Sequence, residues 1–199
     1  MSREMLFALV LGYVLGSIPF GLVLTRLAGK GDIREIGSGN IGATNVLRTG
    51  SKPLAALTLV LDCLKATVAV LLAQLLFGRD TGAAAAAGAF IGHLYPIWLK
   101  LRGGKGAATL LGILIALLWP AALIYAALWI ILLLTFRISS VAGMSAAISA
   151  PIAAFVLHST YFPMLLGFAV LVLWKHRENI LRLMKGTEPR IGSKTSSTA

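Results

Sequence analysis

The sequence predicts an all-α polytopic membrane protein of about seven transmembrane helices, with the N-terminus outside and the C-terminus cytoplasmic. Three observations predict it. Of 199 residues, 58% are hydrophobic and 13% charged, and mean hydropathy is +0.88. That is more apolar surface than a water-soluble core of this size can hide. Several apolar stretches approach the roughly 20 residues that cross a bilayer. The lysines and arginines gather in the joints between those stretches, as they do in cytoplasmic loops.

Taken in order, the apolar segments lie near 5–27, 53–77, 83–99, 107–136, 138–157 and 162–174. Polar joints lie near 28–52, 78–82, 100–106 and 158–161, and a basic tail runs from Lys175. Segment 5–27 is longer than the apolar region of a signal peptide, contains Pro19 and follows a charge-balanced Arg3-Glu4. It therefore predicts a retained first span. Segment 107–136 is too long for one upright helix: 30 residues make about 45 Å against roughly 30 Å of hydrocarbon. Trp119-Pro120 sits in its first half, and proline breaks or begins helices. A tight hairpin of two short spans is one solution, with 107–118 short for a bilayer of ordinary thickness. Periodicity does not decide between hairpin and single helix.

Charge does. With the hairpin there are seven spans, and 15 of the 18 basic residues face the cytoplasm, against Arg3 and Arg79 outside and Lys65 within a span. With six spans the count becomes 8 inside and 9 outside. The positive-inside rule prefers seven. No repeat, heptad or separate soluble domain appears, so 1–192 reads as one integral membrane domain. The Ser/Thr-rich stretch 193–199 reads as a disordered tail.

The formal charge of +11 resembles a nucleic-acid signal, but in this setting it marks cytoplasmic loops, and nucleic acid is excluded as a partner. The single cysteine, Cys63, lies in an apolar stretch. It rules out an internal disulfide and a cysteine-based zinc cluster, and reads as a packing residue.

Three polar stretches interrupt the apolar chain. They are Gly37-Ser38-Gly39-Asn40-Ile41-Gly42-Ala43-Thr44-Asn45 with Arg48, Lys100-Leu101-Arg102-Gly103-Gly104-Lys105-Gly106, and Lys175-His176-Arg177-Glu178-Asn179. The seven-span topology puts all three on one side. Glycine N–H groups can close on a phosphate while a cation neutralises it. Arg48 can grip phosphate with two donors and Lys105 as a point charge. Each stretch also has a plain reading. The first can be a capped glycine turn with Thr44 or Asn45 as N-cap, and the second a basic loop touching headgroups. His176 can be an interface residue. Asp62 and Lys65, three apart on one helix, read as an intramembrane ion pair, although buried charge in lipid always invites a functional role.

Familiar catalytic templates fail. Residues 103–106 are not a Walker A loop, since Leu99 and Gly106 stand where glycine and Ser/Thr are required. His93, His158 and His176 lack the acyltransferase aspartate: Trp98, Pro163 and Leu181, five residues on, stand where that pattern places Asp. Ser38 is not in a nucleophile elbow, because Asn40 follows Gly39. Three histidines without clustered acids, and seven acids in all, argue against zinc and a carboxylate Mg²⁺ cage.

Together the stretches are far more specific than apart. GSGNIGATNVLR, GHLYPIWLKLRGGKG and KHRENILRL occur in that order, each at the end of a span. In these motifs the chain closely resembles the bacterial acyl-phosphate-dependent glycerol-3-phosphate acyltransferases, from Met5 to about Gly192. The resemblance implies transfer of a fatty acyl group from acyl phosphate to glycerol 3-phosphate, giving lysophosphatidic acid and phosphate, the first step of phospholipid biosynthesis. It implies no cofactor and no metal, a site at the cytoplasmic face of the inner membrane, and a soluble phosphate acyltransferase that supplies the donor. Matched residue by residue, it implies Ser38, Lys105, His176 and Asn179 as catalytic. Asn40, Thr44, Arg48, Gly103 and Gly104 would bind substrate or phosphate, joined by Arg137 and Ser140 at the remaining cytoplasmic joint.

Two other classes remain to be weighed. A small anion carrier would need polar groups near the midplane of several helices and commonly an internal repeat; here only Asp62 and Lys65 qualify. A headgroup-binding scaffold would not need three glycine-rich or Asn/His-bearing stretches on one face.

Overall fold

The computed structural model describes residues 1–192; the expected disordered tail, 193–199, lies outside the described residues. These fold into helices joined by turns, with no strand among them. The first apolar segment is two helices, α1 (Arg3–Gly16) and α2 (Phe20–Leu27), broken at Ser17-Ile18-Pro19. Proline cannot donate to the helical ladder and clashes with the turn before it. The break leaves the Ile18 carbonyl free to accept from Lys65 Nζ at 2.8 Å.

A short α3 (Ala43–Leu47) leads into the long α4 (Lys52–Phe77), which is capped by Ser51 and carries Pro53 in its first turn. The helix α5 (Gly82–Leu94) packs chiefly on α1. Gly12 and Gly16 of α1 face Ala85 and Ala89, and a Cβ on either glycine would overlap their backbone. Small residues at four-residue spacing are what allow two apolar helices to close on one another without a hydrophobic drive from water.

Segment 107–136 is a hairpin: α6 (Ala107–Leu117) and α7 (Trp119–Phe136) meet at Leu118. Pro120 stands in the first turn of α7, where its missing N–H is harmless. Tyr125 Oη donates to the Ala107 carbonyl at 2.9 Å. A continuous helix would hold those residues about 27 Å apart, so the chain must turn back. Two further helices, α8 (Ser139–Val156) and α9 (Phe162–Lys175), precede a short polar α10 (Arg177–Met184).

Five segments are long and apolar enough to cross a membrane: Arg3–Leu27, Lys52–Phe77, Arg79–Leu99, Trp119–Phe136 and Ser139–Val156. Ala107–Leu117 and Phe162–Lys175 are shorter apolar helices. Alanines of α4, α5 and α8 fill the centre, with Phe90 stacked on Phe168 at 4.2 Å between ring centroids. Leucines, isoleucines and valines cover much of the exterior, the inverse of a water-soluble bundle. The polar stretches collect at one end of this bundle, while Gln74, Gly82 and Leu117 meet at the other.

Candidate active site

A cavity of about 290 Å³ opens at the end where the polar stretches converge. One part of its wall is polar, with Ser38, Asn40, Thr44, Arg48, Lys105 and Asn179; another is apolar, with Leu59, Leu111, Trp129 and Ile130. Ser140 and His176 also line it. Eight of the eleven residues singled out from the sequence thus share one cavity.

The first loop is organised by Asn45, which is fully buried. Its Nδ2 donates to the Ile33 carbonyl at 2.6 Å and the Ile36 carbonyl at 3.2 Å. Its Oδ1 accepts from the Ser38 amide at 3.2 Å and Arg48 Nη1 at 3.1 Å. One side-chain amide therefore holds Ser38 and the Arg48 guanidinium together. Neither Thr44 nor Asn45 is an N-cap: the position before α3 belongs to Gly42, without a side-chain cap. The Thr44 hydroxyl instead meets Ser139 Oγ at 2.7 Å, tying the loop to α8.

The second and third motifs meet where Lys105 Nζ donates to Asn179 Oδ1. Asn179 Nδ2 donates to Glu188 Oε1 at 2.6 Å, and the same carboxylate accepts from Ser140 Oγ at 2.6 Å and Arg182 Nε at 2.7 Å. Glu188 thereby turns the Asn179 amide so that its oxygen faces Lys105. Burial, aided by Arg182, pushes the Lys105 ammonium down to about 8, with Glu188 and Glu178 opposing. Burial also pushes Glu188 up, but hydrogen bonds from Ser140, Asn179 and Arg182 prevail and leave it below the usual range. Burial lowers Arg48 as well.

His176 sits at the junction of α9 and α10 with its Nδ1 2.8 Å from the Val172 carbonyl. A carbonyl only accepts, so Nδ1 carries the proton and Nε2 keeps its lone pair. Burial, with the charge of Lys105 adding to it, pushes the ring down to about 4. At neutral pH it is an uncharged acceptor.

Three expected phosphate contacts are placed elsewhere. The Gly103 amide donates to the Leu94 carbonyl at 3.2 Å and the Gly104 amide to the His93 carbonyl at 3.0 Å. These N–H groups satisfy the open carbonyls at the end of α5 and are not available to cradle an anion. The lack of a side chain serves packing: a Cβ on Gly104 would overlap the His93 imidazole, and one on Gly103 the His93 carbonyl oxygen and Pro96. Arg137 does not line the cavity. Its Nη2 donates to the Ile191 carbonyl at 2.9 Å, and its own carbonyl accepts from the Ile191 amide at 2.7 Å, so it clamps the segment that carries Glu188.

Sequence reasoning missed Glu188 and His93. Glu188 is an acid inside a stretch read as a basic tail, and that isolation was its only signal. His93 lacks an aspartate at the acyltransferase spacing, and no other local pattern marks it. The Asp62–Lys65 pair forms as expected, at 2.7 Å, but Lys65 Nζ also lies 2.9 Å from His93 Nδ1. Among the described residues, no group of three or more His, Cys, Asp or Glu could hold a metal ion.

A cavity with a cationic, donor-rich end and an apolar wall can hold a small anion and a fatty chain side by side. Comparison with known proteins identifies the family of the chain. The profile of glycerol-3-phosphate acyltransferase matches residues 6–186. The chain is 57% identical over 198 residues to the glycerol-3-phosphate acyltransferase of Brucella anthropi, covering 98% of this chain and 96% of that one. It is 55% identical over 195 residues to that of Mesorhizobium japonicum, covering 98% and 100%. Among solved structures it is similar to PlsY (YgiH), an integral membrane glycerol 3-phosphate acyltransferase, in its glycerol 3-phosphate form. The TM-score is 0.88 at 38% identity, over 94% of this chain and 96% of that one. The lysophosphatidic acid form matches at TM-score 0.85. With the whole bundle and all three motifs inside these matches, the chain belongs to the glycerol-3-phosphate acyltransferase family, as an integral membrane acyltransferase of phospholipid biosynthesis.

Proposed function

We propose that the protein transfers a fatty acyl group from acyl phosphate to the 1-hydroxyl of glycerol 3-phosphate, giving lysophosphatidic acid and inorganic phosphate. The observation that carries this reading is the division of one cavity into an end bearing Arg48 and Lys105 and a wall of Leu59, Leu111 and Trp129. Both substrates are phosphates, and one drags an alkyl chain. The chain belongs on the apolar wall and the phosphates against the cations.

An acyl phosphate is already activated, so no covalent acyl-enzyme is needed; what is required is positioning and charge neutralisation. The hydroxyl oxygen forms a bond to the acyl carbon, and the bond from that carbon to the phosphate oxygen breaks. The hydroxyl proton passes to the departing phosphate. The bare Nε2 of His176 accepts a hydrogen bond from the hydroxyl and orients it, while Lys105, held by Asn179, neutralises the donor's phosphate. Arg48, with Ser38, Asn40 and Thr44 beside it, holds glycerol 3-phosphate, and Ser140 acts through Glu188.

The site faces the cytoplasm of a seven-span protein in the bacterial inner membrane, with the N-terminus outside. The convergence of the polar motifs at one end of the bundle and the 15-to-2 distribution of basic residues support that orientation. A soluble phosphate acyltransferase supplies the donor. The test is incubation of the purified protein with acyl phosphate and glycerol 3-phosphate, followed by product analysis. Lysophosphatidic acid should form without acyl-CoA and without added metal. Robust turnover with acyl-CoA alone would reject the donor assignment.

A further inference from the structure

We propose that His93 is a catalytic hydrogen-bond donor at the inner end of the cavity, with its Nε2–H serving the acyl carbonyl oxygen and its tautomer fixed by Lys65. The inference rests on the reaction proposed above. His93 lines the cavity yet is only 4% exposed. Its Nδ1 lies 2.9 Å from Lys65 Nζ, which also meets Asp62 Oδ1 at 2.7 Å and the Ile18 carbonyl at 2.8 Å. Three acceptors around one ammonium use its three donors. An ammonium cannot accept, so Nδ1 accepts and the ring proton resides on Nε2. Among the described residues Nε2 forms no hydrogen bond.

The location suits the role. Gly104 lies against the Nε2 edge of the ring, close enough that a methyl there would overlap it. The Gly104 amide also holds the His93 carbonyl at 3.0 Å, so ring and Lys105 loop are one unit. With the donor's phosphate at Lys105 and its chain on the apolar wall, the carbonyl lies between them, beside His93. As the hydroxyl oxygen adds to that carbon, negative charge gathers on the carbonyl oxygen. A fixed N–H in a dry site is worth most at that moment. When the phosphate leaves with the hydroxyl proton, the charge is withdrawn, and His93 has neither gained nor lost a proton. Lys65 and Asp62 are positioning residues that act through His93.

Two isosteres separate this role from packing. His93→Gln places an amide N–H near the position of Nε2 but offers Lys65 no oxygen at the position of Nδ1. His93→Asn offers Lys65 an oxygen but leaves the Nε2 position without a donor. Removing such a donor costs roughly 10²–10³ in kcat, so His93→Asn should lose about that much, with KM for glycerol 3-phosphate within about twofold. His93→Gln should recover at least about tenfold over His93→Asn, while melting temperature favours Asn. A purely structural role would rank activity with stability, and His93→Asn at wild-type kcat would overturn the proposal. An independent reading comes from ¹⁵N-histidine NMR of the wild-type protein in detergent, which should show a neutral ring protonated at Nε2. Lys65→Met should release that preference. A ring protonated at Nδ1 in the wild type would overturn the proposal whatever the variants do. If the wild type makes no lysophosphatidic acid from acyl phosphate and glycerol 3-phosphate, it is the reaction that fails, and the NMR reading still stands on its own.

Discussion

Lys105 donates to the side-chain oxygen of Asn179, joining two motifs 74 residues apart. The contact has a direction imposed from behind: Glu188 takes the Asn179 N–H₂ at 2.6 Å, so only the oxygen is left to face the ammonium. A cation partly withdrawn from water, near its own deprotonation point, is thus held by a neutral acceptor that a substrate phosphate can replace.

That arrangement makes activity sensitive to alkali. Burial brings Lys105 down to about 8, and the pH profile of kcat/KM reports the free enzyme. kcat/KM should fall as pH rises through about 8, and Lys105→Arg should lose that limb, since arginine stays protonated. The stability effect has the opposite sign. The folded-state pKa lies below the ordinary 10.5, so the penalty for burying the ammonium fades as pH rises from about 8, and the fold gains slightly while activity declines. Lys105→Ala should lose about one to two decades in kcat/KM, because charge-assisted contacts are worth roughly 1.5–3 kcal/mol.

Glu188→Gln should move the same limb to lower pH, because the carboxylate raises the Lys105 pKa. The substituted amide can still accept from Ser140 or Arg182 but no longer fixes Asn179, so kcat should fall about tenfold with a smaller change in KM. Glu188 sits below its ordinary 4.5 in the folded state. Its stabilisation is therefore complete above that pH and is lost as pH falls through the folded value. The acid limb of a thermal-stability profile should flatten in the variant.

Arg48→Lys keeps the charge and loses the fork that Asn45 holds in place. It should raise KM for glycerol 3-phosphate severalfold and leave kcat nearer to wild type, since one point charge replaces a paired contact. An unchanged KM would remove Arg48 from the binding site.

Gly104→Ala distinguishes packing from phosphate cradling. An added methyl must push the His93 ring or the loop, and overpacking of this kind costs roughly 1–3 kcal/mol. The variant should lose several degrees in melting temperature without substrate and fall in kcat. A variant with wild-type stability and a change confined to KM would restore the glycine loop as an anion cradle.

The side of the membrane is open to direct measurement. A reporter fused after Gly192 should register the cytoplasm and one at Thr81 the opposite side. The same side for both would reject the seven-span topology.

Much of this fold was legible because lipid demands it: span lengths follow from hydropathy and the joints from charge. The hairpin at Leu118 was not visible as periodicity, since α6 and α7 are apolar on every face. Proline and the asymmetry of basic residues pointed to it instead. At the site, Arg48, Lys105, His176 and Asn179 could be picked out by residue type at span ends. The contacts of Gly103 and Gly104 with the end of α5 were not legible, because a missing side chain announces a close approach without saying to what. His93 was hidden because its partner, Lys65, is 28 residues away on another helix, and Glu188 because nothing local marks an acid that turns back onto Asn179.

The shortness of α6 sets the depth of the chemistry. Its 11 residues make about 16 Å, and it runs beside the far part of α4, with the Gly112 carbonyl accepting from Thr67 Oγ1 at 2.9 Å. The loop that carries Lys105 therefore opens level with Leu59 and Asp62, some ten residues along α4 and about 10–15 Å below its first turn. The cationic and apolar walls of the cavity therefore meet below the end of the bundle and not at its surface. A ligand with a phosphate at one end and an alkyl chain at the other would be held within that depth, its phosphate against Lys105 and its chain along Leu111 and Trp129.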